Sequence, residues 1–119
     1  VFVHVEAPDE TGHQGLLKEK IQAIEDFDRK IVGPIVQGLQ EEGMDFRLIA
    51  TMDHHTPLCL RTHTATPVPT ILYDSRNTGN GSGLAFYERN AGLEDQRAGN
   101  GLANGELLME KLLERRKQG

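Results

Sequence analysis

Residues 46–55, Phe46-Arg47-Leu48-Ile49-Ala50-Thr51-Met52-Asp53-His54-His55, run from an aliphatic stretch straight into an acid and two imidazoles. The first six read as a strand, Phe46 to Thr51, and the polar residues after them as side chains at its carboxyl end. Upstream, Leu17, Ile21, Ile24, Ile31, Ile35 and Leu39 recur three, four or seven apart, with Lys18, Glu19, Glu25, Asp26 and Arg29 on the other face. That spacing predicts a long amphipathic helix. Pro34 lacks an amide donor and clashes with the preceding turn, so it bends or interrupts the helix, and Gly43 is placed to end it. Further upstream still, Val1-Phe2-Val3-His4-Val5 stops at Ala7-Pro8 and reads as another strand. Strand, helix, strand is the order of an α/β layer structure with parallel pairing.

Downstream, Pro67 and Pro69 bracket Val68, and Thr70-Ile71-Leu72-Tyr73 is a third, short strand suited to a sheet edge. From Ser75 to Gly105 glycine and asparagine dominate, with scattered apolar residues such as Phe86 and Tyr87, and the stretch reads mostly as loop. Asn104 is placed to cap a last helix carrying Leu107, Leu108, Leu112 and Leu113, and Arg115, Arg116 and Lys117 suit its negative end. A strand at residue 1 without a polar lead-in makes the chain read as a piece of a longer one. No repeat or linker divides it, so residues 1–119 are expected to form part of one domain with one modest core.

Thirteen Lys and Arg against eighteen Asp and Glu give a formal charge of −5, which repels phosphate backbones and argues against nucleic acid as a partner. The single cysteine, Cys59, cannot close an internal disulfide, and a chain without a cysteine framework fits a reducing, cytoplasmic compartment. No apolar run reaches the roughly 18 residues needed to span a bilayer, and no signal-peptide pattern opens the chain, so no membrane association is expected.

Chemistry gathers in three places: Asp9 and His13 in APDETGHQG, Asp53 and His54 in TMDHHTP, and His63 in RTHTATPVP. Ligands of open α/β sheets collect beyond the carboxyl ends of strands, so these two carboxylates and three imidazoles are expected to converge. Carboxylate with imidazole suits divalent zinc, manganese or iron. Each group also has a plain structural role available to it. Asp9 can cap the following helix, His13 can be a solvated loop residue, and His63 a hydrogen-bonded one. Of the adjacent pair His54 and His55 only one can face a given ion, and His54 is favoured. His4 sits within a strand pattern and is read as packed. Cys59, in LCLR, reads as a small apolar residue of a semi-buried segment rather than a reactive thiol. The NTGNGSG tract lacks the context of a phosphate-binding loop and reads as surface. Ser75 and Ser82, the only serines, lie away from the metal-type motifs, which argues against either as a nucleophile.

Taken together and in order, DETGHQG, ATMDHHTP, RTHTATPVP and ILYD resemble the archaeal-type branch of cofactor-independent phosphoglycerate mutases, within the alkaline-phosphatase superfamily. The likeness runs from VHVEAPDETGHQG through SGLAFYE to the ELLMEKLL helix. It implies the carboxyl-terminal part of an alkaline-phosphatase-like sandwich, a mainly parallel sheet flanked by helices, with the rest of the metal-binding domain missing. It also implies two divalent ions, manganese first, with zinc, cobalt or magnesium as substitutes. Asp9, His13 and His63 would ligate one and Asp53 and His54 the other. The family's phosphorylated serine, a further metal-binding aspartate and the glycerate-binding residues match nothing here. The resemblance thus implies an isomerase that acts on phosphoglycerate, and a fragment inactive alone; an apolar sheet edge exposed by truncation is expected to favour self-association. Another phosphomutase or phosphotransferase of the superfamily, or a non-catalytic metal-binding module, is the alternative function.

Overall fold

Pro8 stands in the first turn of a short helix, α1 (Ala7–Gln14), in the segment that follows the expected amino-terminal strand. Proline suits that position because the first helical amides need no intrahelical partner, and Gly15 ends the helix in the left-handed conformation (φ 72°) that a side chain resists. Residues 1–6 form no strand, which corrects the expectation for Val1–Val5. No other segment of the described residues offers them a ladder, and Phe2 and His4 lie exposed, their rings 6.5 Å apart and nearly parallel. His4 is therefore not packed.

The computed structural model describes residues 1–99 and 101–114, which leaves Arg115, Arg116 and Lys117 outside it. The chain forms two units that interleave along the sequence, one made of Val1–Met44 with Asp53–Pro67 and the other of Asp45–Met52 with Val68–Gly119. In the first, α2 (Leu17–Phe27) and α3 (Gly33–Glu41) are joined by a wider π-helical turn over Asp28–Val32. The widening falls just before Pro34, where the Gly33 amide reaches back five residues to the Asp28 carbonyl and proline has no amide to give. After Glu42 the amides of Gly43 and Met44 close on Gln40 and Leu39, so Gly43 (φ 65°) ends the helix as expected.

The second unit holds β1 (Arg47–Thr51), β2 (Thr70–Asp74), α4 (Glu88–Ala98) and α5 (Glu106–Leu113). Both strands lie where the sequence places them, but they pair antiparallel, with Arg47 opposite Asp74 and Thr51 opposite Thr70. The expected parallel sheet is thus not present among the described residues. The connecting segment contains no crossover helix and returns the chain to the end of β1 it left, which permits only antiparallel pairing. Helix α4 lies in a stretch read as loop, its signal weakened by Gly92 in mid-helix. Asn104 does not cap α5, because Gly105 holds that position and no side-chain cap bond forms. The last carbonyls of α5 are met instead by Arg47, whose Nη1 lies 3.3 Å from the Leu112 oxygen and 2.5 Å from that of Glu114.

Apart from Pro69, no apolar side chain among the described residues is buried, so the expected core does not close. The stripe of α2 formed by Leu17, Ile21 and Ile24 is exposed rather than packed on a sheet, and Cys59 is exposed rather than semi-buried.

Candidate metal centre

Asp9 and His13 stand one turn apart on α1, where side chains four residues apart share a face, and His13 Nε2 lies 3.3 Å from Asp9 Oδ2. Both the helix and its first unit partner, residues 53–67, are needed to complete the cluster. Within that segment the amides of Leu60 and Arg61 turn back onto the Pro57 carbonyl, and Arg61 takes a left-handed conformation (φ 54°). The turned chain then closes on itself through an antiparallel bridge of His55 with Thr64, the Thr64 amide donating to the His55 carbonyl at 3.0 Å.

That bridge sorts the histidines. Alternation along extended backbone puts His54, Thr56 and His63 on one face and His55 on the other. His55 accordingly meets the Pro67 carbonyl, 3.0 Å from its Nε2, while the rings of His54 and His63 stack with centroids 3.6 Å apart. His63 Nε2 reaches to 3.3 Å from Asp9 Oδ1 and 3.1 Å from His13 Nε2.

Asp9, His13 and His63 therefore present three ligand atoms within 4.8 Å of one another. Ligands placed tetrahedrally at about 2.0–2.1 Å from an ion are about 3.3–3.4 Å apart; here the two imidazole Nε2 atoms are 3.1 Å apart, and each lies 3.3 Å from a different oxygen of the Asp9 carboxylate. The electronic state fits as well. His13 Nδ1 lies 2.9 Å from the Arg61 carbonyl, which can only accept, so the ring proton of the neutral imidazole sits there and Nε2 offers a lone pair. The Thr56 hydroxyl, and after it the His13, His63 and His54 imidazoles, hold the Asp9 carboxyl below its usual range against a counteracting effect of burial. An ionised carboxylate, the Nε2 lone pair of His13 and the Nε2 atom of His63 face one small space, a donor set suited to a cation.

His54 links this cluster to Asp53. Its Nδ1 is 4.0 Å from Asp9 Oδ1 and its Nε2 is 3.4 Å from Asp53 Oδ2, while the other Asp53 oxygen accepts the His54 amide. All five expected residues are thus in one neighbourhood, with Asp9, His13 and His63 forming the tight group and Asp53 and His54 beside it. The two serines are occupied elsewhere: Ser75 Oγ accepts the Phe46 amide at 2.9 Å and Ser82 Oγ faces the Leu84 amide at 3.3 Å.

Three residues of the site escape the sequence reading. Thr56, 4% exposed, donates its hydroxyl to Asp9. Lys20 Nζ donates to the Thr56 carbonyl at 2.6 Å, and the Arg61 carbonyl holds His13. Thr56 had a signal, since it follows His54 by two in an extended run. Lys20 and Arg61 had none, because their contacts depend on how α1 and α2 meet the 53–67 segment.

Comparison with known proteins bears on the same chemistry. The chain is 46% identical over 115 residues to a probable 2,3-bisphosphoglycerate-independent phosphoglycerate mutase of Geobacter sulfurreducens, covering 97% of this chain and 28% of that protein. It is 44% identical over 91 residues to the 2,3-bisphosphoglycerate-independent phosphoglycerate mutase of Methanosarcina barkeri, covering 76% of this chain and 23% of that one. With the enzyme of the same name from Methanosarcina mazei it shares 47% over 73 residues, 61% of this chain and 18% of that protein. The chain therefore spans about a quarter or less of these relatives. No solved structure matches it. Residues 1–104, which contain every member of the carboxylate and imidazole cluster, match the family described as the Metalloenzyme superfamily, and the chain belongs to that superfamily.

Proposed function

We propose that this chain is the carboxyl-terminal, metal-binding part of an alkaline-phosphatase-like domain in a 2,3-bisphosphoglycerate-independent phosphoglycerate mutase. The parent would be an isomerase of glycolysis and gluconeogenesis that interconverts 3-phosphoglycerate and 2-phosphoglycerate in the cytoplasm. The observation that carries the reading is the convergence of Asp9, His13 and His63 on one cation-sized space. In this reading these three hold one divalent ion and Asp53 with His54 contributes to a second, manganese being favoured and zinc, cobalt or magnesium able to replace it. Two bound cations would supply charge neutralisation across a phosphoryl group and lower the pKa of an attacking hydroxyl.

The chain's own residues prepare that chemistry. Asp9 stays ionised beside the Thr56 hydroxyl. His13 keeps its proton on Nδ1, against the Arg61 carbonyl, and so offers Nε2. Stacking on His54 limits rotation of the His63 ring. The phosphorylated serine and the residues that recognise the glycerate carboxylate belong, in this reading, to parts of the parent outside the chain, and the chain alone turns over no phosphoglycerate. No helix of the described residues is long and apolar enough to cross a membrane.

Calorimetric titration of the apo chain with manganese and with zinc tests the metal assignment. Binding is expected to fall at least about tenfold in both Asp9→Ala and His63→Ala, because each removes one of three ligands. Unchanged affinity in either variant defeats the assignment. Assay of the parent polypeptide with 3-phosphoglycerate and with a phosphopentose then separates the mutase from other phosphomutases.

A further inference from the structure

We propose that Thr56 is a positioning residue that fixes the orientation of both the Asp9 carboxylate and the His54 ring. What these groups are oriented toward rests on the metal reading above, whereas the orientation itself does not. Thr56 is the one polar residue buried among the described residues, and a buried hydroxyl must find partners. Its single proton goes to Asp9 Oδ1, since a carboxylate only accepts. The same hydroxyl oxygen lies 3.3 Å from His54 Nδ1, and with its proton committed it can only accept there. On the far side of the ring His54 Nε2 lies 3.4 Å from Asp53 Oδ2, so the imidazole is held between the Thr56 hydroxyl and that carboxylate. One hydroxyl thus sets the plane of the carboxylate in the tight group and the orientation of the imidazole beside it.

Thr56 is itself held from two sides. Lys20, on α2, donates to its carbonyl at 2.6 Å. On α1, Gly12 is buried against it: a Cβ there would lie 2.7 Å from the Thr56 carbonyl oxygen, 3.0 Å from its Cβ and 2.7 Å from Lys20 Nζ. The absence of a side chain at Gly12 lets the helix that carries Asp9 and His13 come close enough for the hydroxyl to reach. Gly12, Lys20 and Thr56 therefore form a latch among α1, α2 and the 53–67 segment, and its working end is one hydroxyl.

The test compares Thr56→Val, which keeps the branched shape without the hydroxyl, with Thr56→Ser, which keeps the hydroxyl. Manganese titration of each variant and of the unsubstituted chain gives one reading, and nuclear Overhauser contacts between the His54 and His63 rings, taken without metal, give another. Thr56→Val is expected to weaken manganese about 10- to 100-fold, the usual effect of losing a group that orients a ligand, with Thr56→Ser recovering most of it. The ring contacts should be lost in Thr56→Val and kept in Thr56→Ser while backbone contacts persist in both. Thr56→Val with unsubstituted affinity and intact ring contacts overturns the proposal, as does Thr56→Ser failing as badly as Thr56→Val. An unsubstituted chain that binds no manganese defeats the metal reading, and the ring contacts then decide the positioning role on their own.

Discussion

His54 and His55 are neighbours of the same chemistry, and backbone alternation alone gives them different surroundings. His54 faces Asp9 and Asp53, and His55 faces the Pro67 carbonyl. His55→Ala is therefore expected to leave manganese affinity within about threefold, whereas His63→Ala removes a donor atom and lowers it by at least about tenfold. Parallel calorimetric titrations check the contrast, and equal losses would place His55 in the site. Gly12 gives a second prediction at this scale. A methyl group added there meets backbone as well as a flexible lysine, so Gly12→Ala is expected to destabilise the chain by about 1–3 kcal/mol, seen as a lower urea midpoint. The residue types of the site were legible in the sequence, because carboxylates and imidazoles at Asp9, His13, Asp53, His54 and His63 announce their own chemistry. Their supports were not. Lys20 and the Arg61 carbonyl act through distances that no local pattern encodes.

Elements were legible where period or punctuation is strong. β1, β2, α2 and α3 follow from their apolar spacing, and Pro34 and Gly43 mark the interruption and the end that the structure has. The amino-terminal strand and the parallel sheet failed for a common reason: a strand is completed by its neighbours, and none pairs with Val1–Val5 among the described residues. Helix α4 failed because Gly92 hid it. With open space around Gly92, Gly92→Ala is expected to stabilise by about 0.5–1 kcal/mol, while Gly99→Ala, at φ 63°, costs about 1–2 kcal/mol. Opposite shifts of the thermal midpoint check both. The sheet makes a prediction about acid. The Arg76 and Arg47 guanidiniums hold the Asp74 carboxyl well below the usual carboxylate range. A carboxyl whose folded pKa lies under its unfolded value of about 3.9 contributes stability above that value and loses it as pH falls toward the folded pKa. Urea midpoints of the unsubstituted chain should therefore drop on acidification below about pH 4, more steeply than those of Asp74→Asn. Parallel acid limbs would remove Asp74 from the account.

At the scale of the whole molecule, an apolar fraction of 37% promised a core that the described residues do not close. Composition sets how much apolar surface a chain carries, and only partners decide how much of it is covered. Leu17, Ile21 and Ile24, spaced four and three apart on α2, are 57%, 49% and 53% exposed, a continuous stripe of the kind a helix normally turns inward. Leu72 on β2 and Leu113 on α5 are also exposed, at 49% and 69%. Water contact with contiguous apolar surface is unfavourable by about 25 cal/mol per Å², so covering the α2 stripe is worth more than leaving it wet. In the isolated chain, the available cover is another copy. Sedimentation velocity is expected to show mass rising with protein concentration, accompanied by binding of an apolar dye. Ile21→Lys with Ile24→Lys should shift the chain toward monomer without lowering its helical circular dichroism, since both side chains are about half exposed on α2. A chain that stays monomeric at high concentration would mean the stripe is tolerated in water, and an association unaffected by the double substitution would move the interface to the sheet or α5.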